Sequence, residues 1–224
     1  MRVGLMVPAN NTTMAEELVA WLPAGSTCRR IGIPRGAGML GPDDLPDYLA
    51  QAIALAGEFA ADDIDLVVYG CTAAGFLAGP ARDTEVAIEL ALVTGKPVVT
   101  TASSMVEALK DIGAQRIALV TPYHDIVNKR LRLFLSQSGI RVAALATLGA
   151  RTVEELAAIT PEAVAALARS TMRPDCDALF IACSQLPTRD ILPQLERDLG
   201  CAVWSSIRAT AWNAQRVADP ARAH

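Results

Sequence analysis

The feature that most constrains this 224-residue chain is an internal repeat. Arg2-Val3-Gly4-Leu5-Met6-Val7-Pro8 returns 114 positions on as Arg116-Ile117-Ala118-Leu119-Val120-Thr121-Pro122, with the basic residue and the proline both kept. Val67-Val68-Tyr69-Gly70-Cys71-Thr72 returns 112 positions on as Leu179-Phe180-Ile181-Ala182-Cys183-Ser184. A third pair closes each half: Lys96-Pro97-Val98-Val99-Thr100-Thr101, and Cys201-Ala202-Val203-Trp204-Ser205-Ser206. Three landmarks in one order, at nearly one offset, restrict the chain to a unit built twice.

Short runs rich in Val, Ile and Leu alternate with longer alanine-rich segments of helical period, the pattern of parallel strands covered by helices on both faces. The expected class is α/β, with two pseudo-symmetric parallel-sheet lobes at residues 1–100 and 101–205 and a last helix, within 206–224, packing back on the first lobe. Strands are expected near Val3–Val7, Cys28–Ile33, Leu66–Tyr69, Pro97–Thr100, Ile117–Thr121, Val142–Leu148, Leu179–Ala182 and Ala202–Trp204. Helices are expected near Met14–Leu22, Pro46–Ala60, Ala81–Thr94, Ser104–Asp111, Asp125–Ser138, Pro161–Ser170, Leu186–Leu199 and Ala209–Val217.

Such sheets bind ligands beyond the carboxyl ends of their strands. The segments after Val7, Tyr69, Thr121 and Ala182 should therefore converge on one cleft. They carry Asn10-Asn11-Thr12-Thr13, Cys71-Thr72, Tyr123-His124 and Cys183-Ser184. Cys71 and Cys183 each end a strand, and free N–H groups at a following helix start are expected to lower a thiol pKa into the reactive range. The same donors can hold a carboxylate. Cys28, Cys176 and Cys201 lack this placement and read as packing residues. Asn10, Asn11, Thr12, Thr72 and Ser184 supply amide and hydroxyl donors, and the Tyr123 phenol is a further donor for an anion. His124 has no acidic partner in reach and reads as exposed; His224 is terminal. The Gly32–Pro42 stretch reads as a lid loop, since no Walker-type lysine or G-x-G-x-x-G follows that could cradle a phosphate.

Composition narrows the partners. A net charge of −4 with interspersed signs gives no footprint for nucleic acid or anionic lipid. No apolar run reaches the eighteen or so residues of a membrane span, and the opening strand is too short for a secretory signal. A cytoplasmic protein is expected. Five cysteines without a C-x-x-C pair, beside two histidines, suggest neither a disulfide framework nor a zinc site.

Val7-Pro8-Ala9-Asn10-Asn11-Thr12-Thr13-Met14 resembles the V-P-S-S-N-T-T-M opening of maleate cis-trans isomerases, in the Asp/Glu racemase superfamily. Cys71-Thr72, Cys183-Ser184 and Thr121-Pro122-Tyr123 fall where that family carries its two cysteines and its T-P-Y. The likeness extends, less closely, to arylmalonate decarboxylases, which keep only the second cysteine. The resemblance implies a homodimeric or larger enzyme without metal or organic cofactor, acting on a small carboxylate. It implies Cys71 as nucleophile, Cys183 as acid/base, and Asn11 and Tyr123 as carboxylate holders. The Gly149-Ala150-Arg151-Thr152-Val153-Glu154 stretch looks more like the decarboxylase version, and Arg208 is either a surface residue or a carboxylate ligand.

Three other readings stand beside maleate isomerisation. Two facing thiols also suit racemisation of an amino or 2-substituted acid, one removing the α-proton and the other returning it. An arylmalonate-type decarboxylase needs only one thiol. A small-carboxylate binding protein would use two lobes about a cleft, yet has no use for paired thiols.

Overall fold

The computed structural model describes residues 1–36 and 38–219. Strands β1 (Arg2–Pro8), β2 (Thr27–Ile33), β3 (Leu66–Tyr69) and β4 (Val98–Thr100) form a sheet in the order β2-β1-β3-β4. Strands β5 (Arg116–Thr121), β6 (Arg141–Thr147), β7 (Ala178–Ile181) and β8 (Ala202–Ser205) form a second, in the order β6-β5-β7-β8. Every pairing is parallel, and adding four to each strand number of the first sheet yields the second. The sequence repeat is thus a repeat of topology, and the expected α/β class is observed.

Parallel neighbours require crossover connections, usually helical. The helices are α1 (Met14–Trp21), α2 (Leu45–Ala56, extended by a 3-10 turn at Gly57–Phe59), α3 (Thr72–Ala78), α4 (Pro80–Thr94) and α5 (Thr101–Asp111). They continue with α6 (Asp125–Gln137), α7 (Val153–Ala157), α8 (Pro161–Thr171), α9 (Leu192–Leu199) and α10 (Ser206–Ala218). All four residues of β3 are buried, as are all four of β7. Period-2 alternation sorts β3 between two cores. Leu66 and Val68 join Val3, Leu5, Val7, Met14 and Leu18, while Val67 and Tyr69 join the larger core that runs into the second half. Ile207, Ala211 and Ala214, one face of α10, pack into the first of these cores, so the last described helix lies on the first sheet.

The third landmark of the repeat resolves into two helix caps. The Thr100 hydroxyl accepts from the Ser103 N–H at 3.0 Å and opens α5; the Ser205 hydroxyl accepts from the Arg208 N–H at 3.2 Å and opens α10. Each such cap contributes about 1 kcal/mol.

Three local expectations fail. The helix expected over Leu186–Leu199 begins only at Leu192, with Pro193 in its first turn. Ahead of it the buried Glu17 carboxylate accepts from the Thr188 N–H (2.8 Å) and hydroxyl (2.9 Å), a tie from α1 that holds the segment in turns. The short helices α3 and α7 were not expected; seven and five residues are too few to display a period.

Candidate active site

Strand β1 ends at Pro8, and the loop after it is fastened from below. The Arg30 guanidinium on β2 donates to the carbonyls of Pro8 (3.3 Å), Ala9 (2.6 Å) and Asn11 (3.1 Å). The Asn11 side-chain carbonyl accepts from the N–H groups of Thr13 (3.1 Å) and Met14 (2.9 Å), which starts α1. Its amide reaches across to the second half and donates to the Ser184 carbonyl at 3.2 Å. Asn11 is thus both a helix cap and a tie between the sheets.

The two cysteines end the two central strands. Gly70, just before Cys71, is tightly enclosed: a Cβ there would stand 2.7 Å from both Met14 Sδ and Val7 Cγ1. Cys71 then caps the N-terminus of α3. Cys183 has no helix immediately after it; its turn instead returns the Gln185 N–H to the sulfur at 3.4 Å. The Ser184 hydroxyl donates to the Gly70 carbonyl at 2.7 Å. Its counterpart in the repeat, the Thr72 hydroxyl, is buried and has no partner.

Both cysteines line one cleft, together with Asn10, Asn11, Thr72, Tyr123, Ser184 and Gln185. The space between these atoms is about 460 Å³, part of it open solvent. Met39, Leu40, Val153 and Leu156 give it an aliphatic flank, and among the described residues Arg35 is its only charged side chain. The loop after β2 covers the cleft and reaches the second half, Gly38 forming an antiparallel bridge with Thr152. Ala37, in that loop, lies outside the described residues.

Burial decides the resting charge of the thiols. Cys71 is 4% exposed and Cys183 6%. Desolvation pushes both above the ordinary thiol value, against the lowering expected from helix N–H groups. The opposing donors are unequal. The N–H groups of Ala74 and Ala73 and the Tyr48 hydroxyl favour a Cys71 thiolate. Tyr48 comes from α2; its buried hydroxyl faces that sulfur without completing a hydrogen bond of good geometry. At Cys183 the Gln185 N–H and the Tyr123 hydroxyl favour the thiolate, but negative charge on Cys71 disfavours it. Arg35 favours ionisation of both. Both thiols are therefore protonated at rest, and a negative charge on Cys71 opposes a second one on Cys183. Burial also drives the Tyr123 phenol well above its ordinary value, so it stays a donor. Its ring is fixed edge-on against Phe76 of α3, centroids 5.4 Å apart.

Other expected residues lie elsewhere. Thr12 is exposed and outside the cleft; its N–H donates to Gln185 Oε1 at 3.0 Å and its hydroxyl accepts from Gln185 Nε2 at 2.8 Å. His124 is exposed at the start of α6. Arg208 pairs with Glu196 at 2.7 Å and lies over the rings of Trp204 and Trp21, so it serves packing rather than the cleft. Cys28, Cys176 and Cys201 sit in or against the cores, the Cys28 thiol pushed up to about 11 by burial. His224 lies outside the described residues. The sequence reading missed Arg35, Tyr48, Gln185 and the aliphatic flank. Arg35 had a signal, as the lone cation of a glycine-rich loop; Tyr48 had none.

The sequence pattern of the arylmalonate decarboxylase family matches residues 3–224. The chain belongs to this family. Its relatives carry two names. The maleate isomerase of Nocardia farcinica is 30% identical, the match covering 97% of this chain and 90% of that protein. The arylmalonate decarboxylase of Bordetella bronchiseptica is 29% identical over 82% of this chain and 77% of that protein. Among solved structures, a cysteine-to-serine variant of the N. farcinica maleate cis-trans isomerase, with a covalently bound succinylcysteine intermediate, superimposes with a TM-score of 0.89. It is 28% identical, with 97% of this chain and 92% of that one covered. Among the described residues of this family member, no helix is long and apolar enough to cross a membrane and no cluster of side chains forms a metal site.

Proposed function

We propose that the protein is a maleate cis-trans isomerase working through covalent addition by Cys71. The observation that carries this reading is the pair of cysteines lining one cleft, one contributed by each half.

The chemistry follows from that pairing. The Cys71 thiolate adds to one alkene carbon of maleate; the C–S bond forms as the π pair moves to the neighbouring carbon and onto its carboxylate. The former double bond is now single and turns. The returning pair rebuilds the double bond and expels the thiolate, leaving fumarate. Tyr123, Thr72 and Asn11 donate to the carboxylate that carries the developing charge. Cys183, on the second half's strand end, lends a proton to the carbanionic carbon and takes it back. Atoms and electrons balance without a co-substrate; the resemblance implies a homo-oligomer, and the opening strand, too short for a secretory signal, supports a cytoplasmic one.

One observation favours a second reading. Met39, Leu40, Val153 and Leu156 form an aliphatic flank with no polar group to meet a carboxylate, which suits the apolar substituent of a 2-substituted acid undergoing racemisation or decarboxylation. Proton NMR of the protein incubated separately with maleate, aspartate, glutamate and an arylmalonate tests both. Fumarate from maleate alone supports the isomerase; deuterium exchange at an α-carbon or loss of CO₂ from the arylmalonate supports the other.

A further inference from the structure

We infer that Arg35 anchors the second carboxylate of a two-acid substrate, the first being held at the Thr72 hydroxyl, and thereby selects dicarboxylates over monocarboxylates. The inference rests on the reading of the cleft as a carboxylate site.

Arg35 pairs with no carboxylate among the described residues, and its polar contacts leave much of its capacity unused. Nη2 donates to the Gly38 carbonyl at 3.0 Å and lies 4.0 Å from Met39 Sδ, while Nε is buried without a partner. A guanidinium offers five N–H donors in a planar fork matched to a carboxylate. Thr72, which lines the same cleft, is 1% exposed, and its hydroxyl also lacks a partner. Unsatisfied buried polar groups are costly and uncommon, and two on residues that line one cleft call for a ligand with more than one acceptor. Among the described residues no carboxylate or histidine lines the cleft, and Arg35 forms no ion pair with Asp44 or Asp47 of the adjoining pocket that it also lines. Arg35 and Thr72 stand on different elements, the loop after β2 and the start of α3, so one carboxylate can be held at each. The Arg35 charge also favours thiolates at Cys71 and Cys183, which links substrate anchoring to nucleophile activation.

Calorimetry with two unreactive acids, succinate and butyrate, tests this in the full-length protein. The wild type should bind succinate at least about tenfold more tightly, and Arg35→Met should lose about tenfold to a hundredfold for succinate while leaving butyrate unchanged. Arg35→Lys should restore part of the preference. The pH curve for alkylation of the two cysteines should move to higher pH in Arg35→Met, a shift that a loop-packing role would not produce. Equal losses for both acids, a retained succinate preference, or no dicarboxylate preference in the wild type would each overturn the assignment. If Arg35→Met does not fold, the succinate-to-butyrate ratio of Arg35→Lys decides, and an unchanged ratio counts against it. These acids do not react, so failure of the isomerase reading would appear separately, as absence of fumarate from maleate with the binding preference intact.

Discussion

The hydroxyl of Ser184 donates to the carbonyl of Gly70 at 2.7 Å, joining the residue after one cysteine to the residue before the other. With the Asn11 amide on the Ser184 carbonyl, this bond clamps the ends of the two central strands together and fixes Cys183 relative to Cys71. The repeat supplies two like turns; one uses its hydroxyl as a fastener, while in the other the buried Thr72 hydroxyl has no partner.

Replacing Ser184 by Ala strips a buried carbonyl of its donor and should cost about 1–3 kcal/mol of stability. Because the bond sets the mutual position of the thiols, kcat should fall more than KM rises. Denaturant unfolding and steady-state kinetics measure the two; unchanged kcat in a folded variant would deny the clamp its role.

Gly70 has no room for a side chain. An added Cβ would meet Met14 Sδ and Val7 Cγ1 at 2.7 Å and Leu5 Cδ1 at 2.9 Å, all in the packed first core. Gly70→Ala should therefore destabilise by about 1–3 kcal/mol and displace Cys71, with a matching loss of activity. Thermal unfolding like that of the wild type would refute the packing argument.

The thiols should make catalysis alkaline. Burial raises both above the ordinary thiol value, so the Cys71 thiolate is scarce at neutral pH and kcat/KM should climb as pH rises toward that value and beyond. The same sign governs stability: a folded pKa above the unfolded one contributes stability below the unfolded value, and that contribution fades as pH rises through the folded one. Substrate-free protein should thus lose stability on alkalisation, less so in a Cys71→Ala, Cys183→Ala double variant. A flat kcat/KM between neutral and strongly alkaline pH would contradict this.

Asp83 is a buried carboxylate whose Oδ2 accepts from the hydroxyls of Thr100 and Ser103, both at 2.6 Å, while Oδ1 has no partner. Desolvation holds its pKa above the ordinary carboxylate value. Its protonated form is the one folding favours, so its contribution is full below the ordinary carboxylate range and is lost as pH rises through the raised value. Asp83→Asn should flatten the stability profile above the carboxylate range, read as melting temperature against pH. A slope identical to the wild type would count against the burial argument.

The parts of this fold that were legible share a physical cause. Strands buried on both faces must be apolar throughout, so the inner strands β1, β3, β5 and β7 stood out as short Val, Ile and Leu runs, and the cysteines stood out because the repeat placed them twice at a strand end. What stayed hidden depends on contacts between distant segments. Arg35 reaches the cleft from a loop, and Tyr48 reaches the Cys71 sulfur from a helix face, and neither segment's sequence reveals that direction. The start of α9 is set by Glu17, far away in the chain. The role of Arg208 depends on Trp21 as well as on its neighbour Trp204. The direction of the thiol shifts turns on burial, which a strand-end position does not disclose. Ser184 and Thr72 look equivalent in the repeat and differ only in what stands across the cleft.

Intact-protein mass spectrometry of a Cys183→Ser variant incubated with maleate tests the central claim most directly. With the acid/base thiol gone, the adduct on Cys71 should accumulate as a gain of one maleic acid, mapping by peptide digestion to Cys71 and absent from Cys71→Ala. An adduct on another cysteine, or none with either variant while the wild type still converts maleate to fumarate, would contradict covalent catalysis by Cys71.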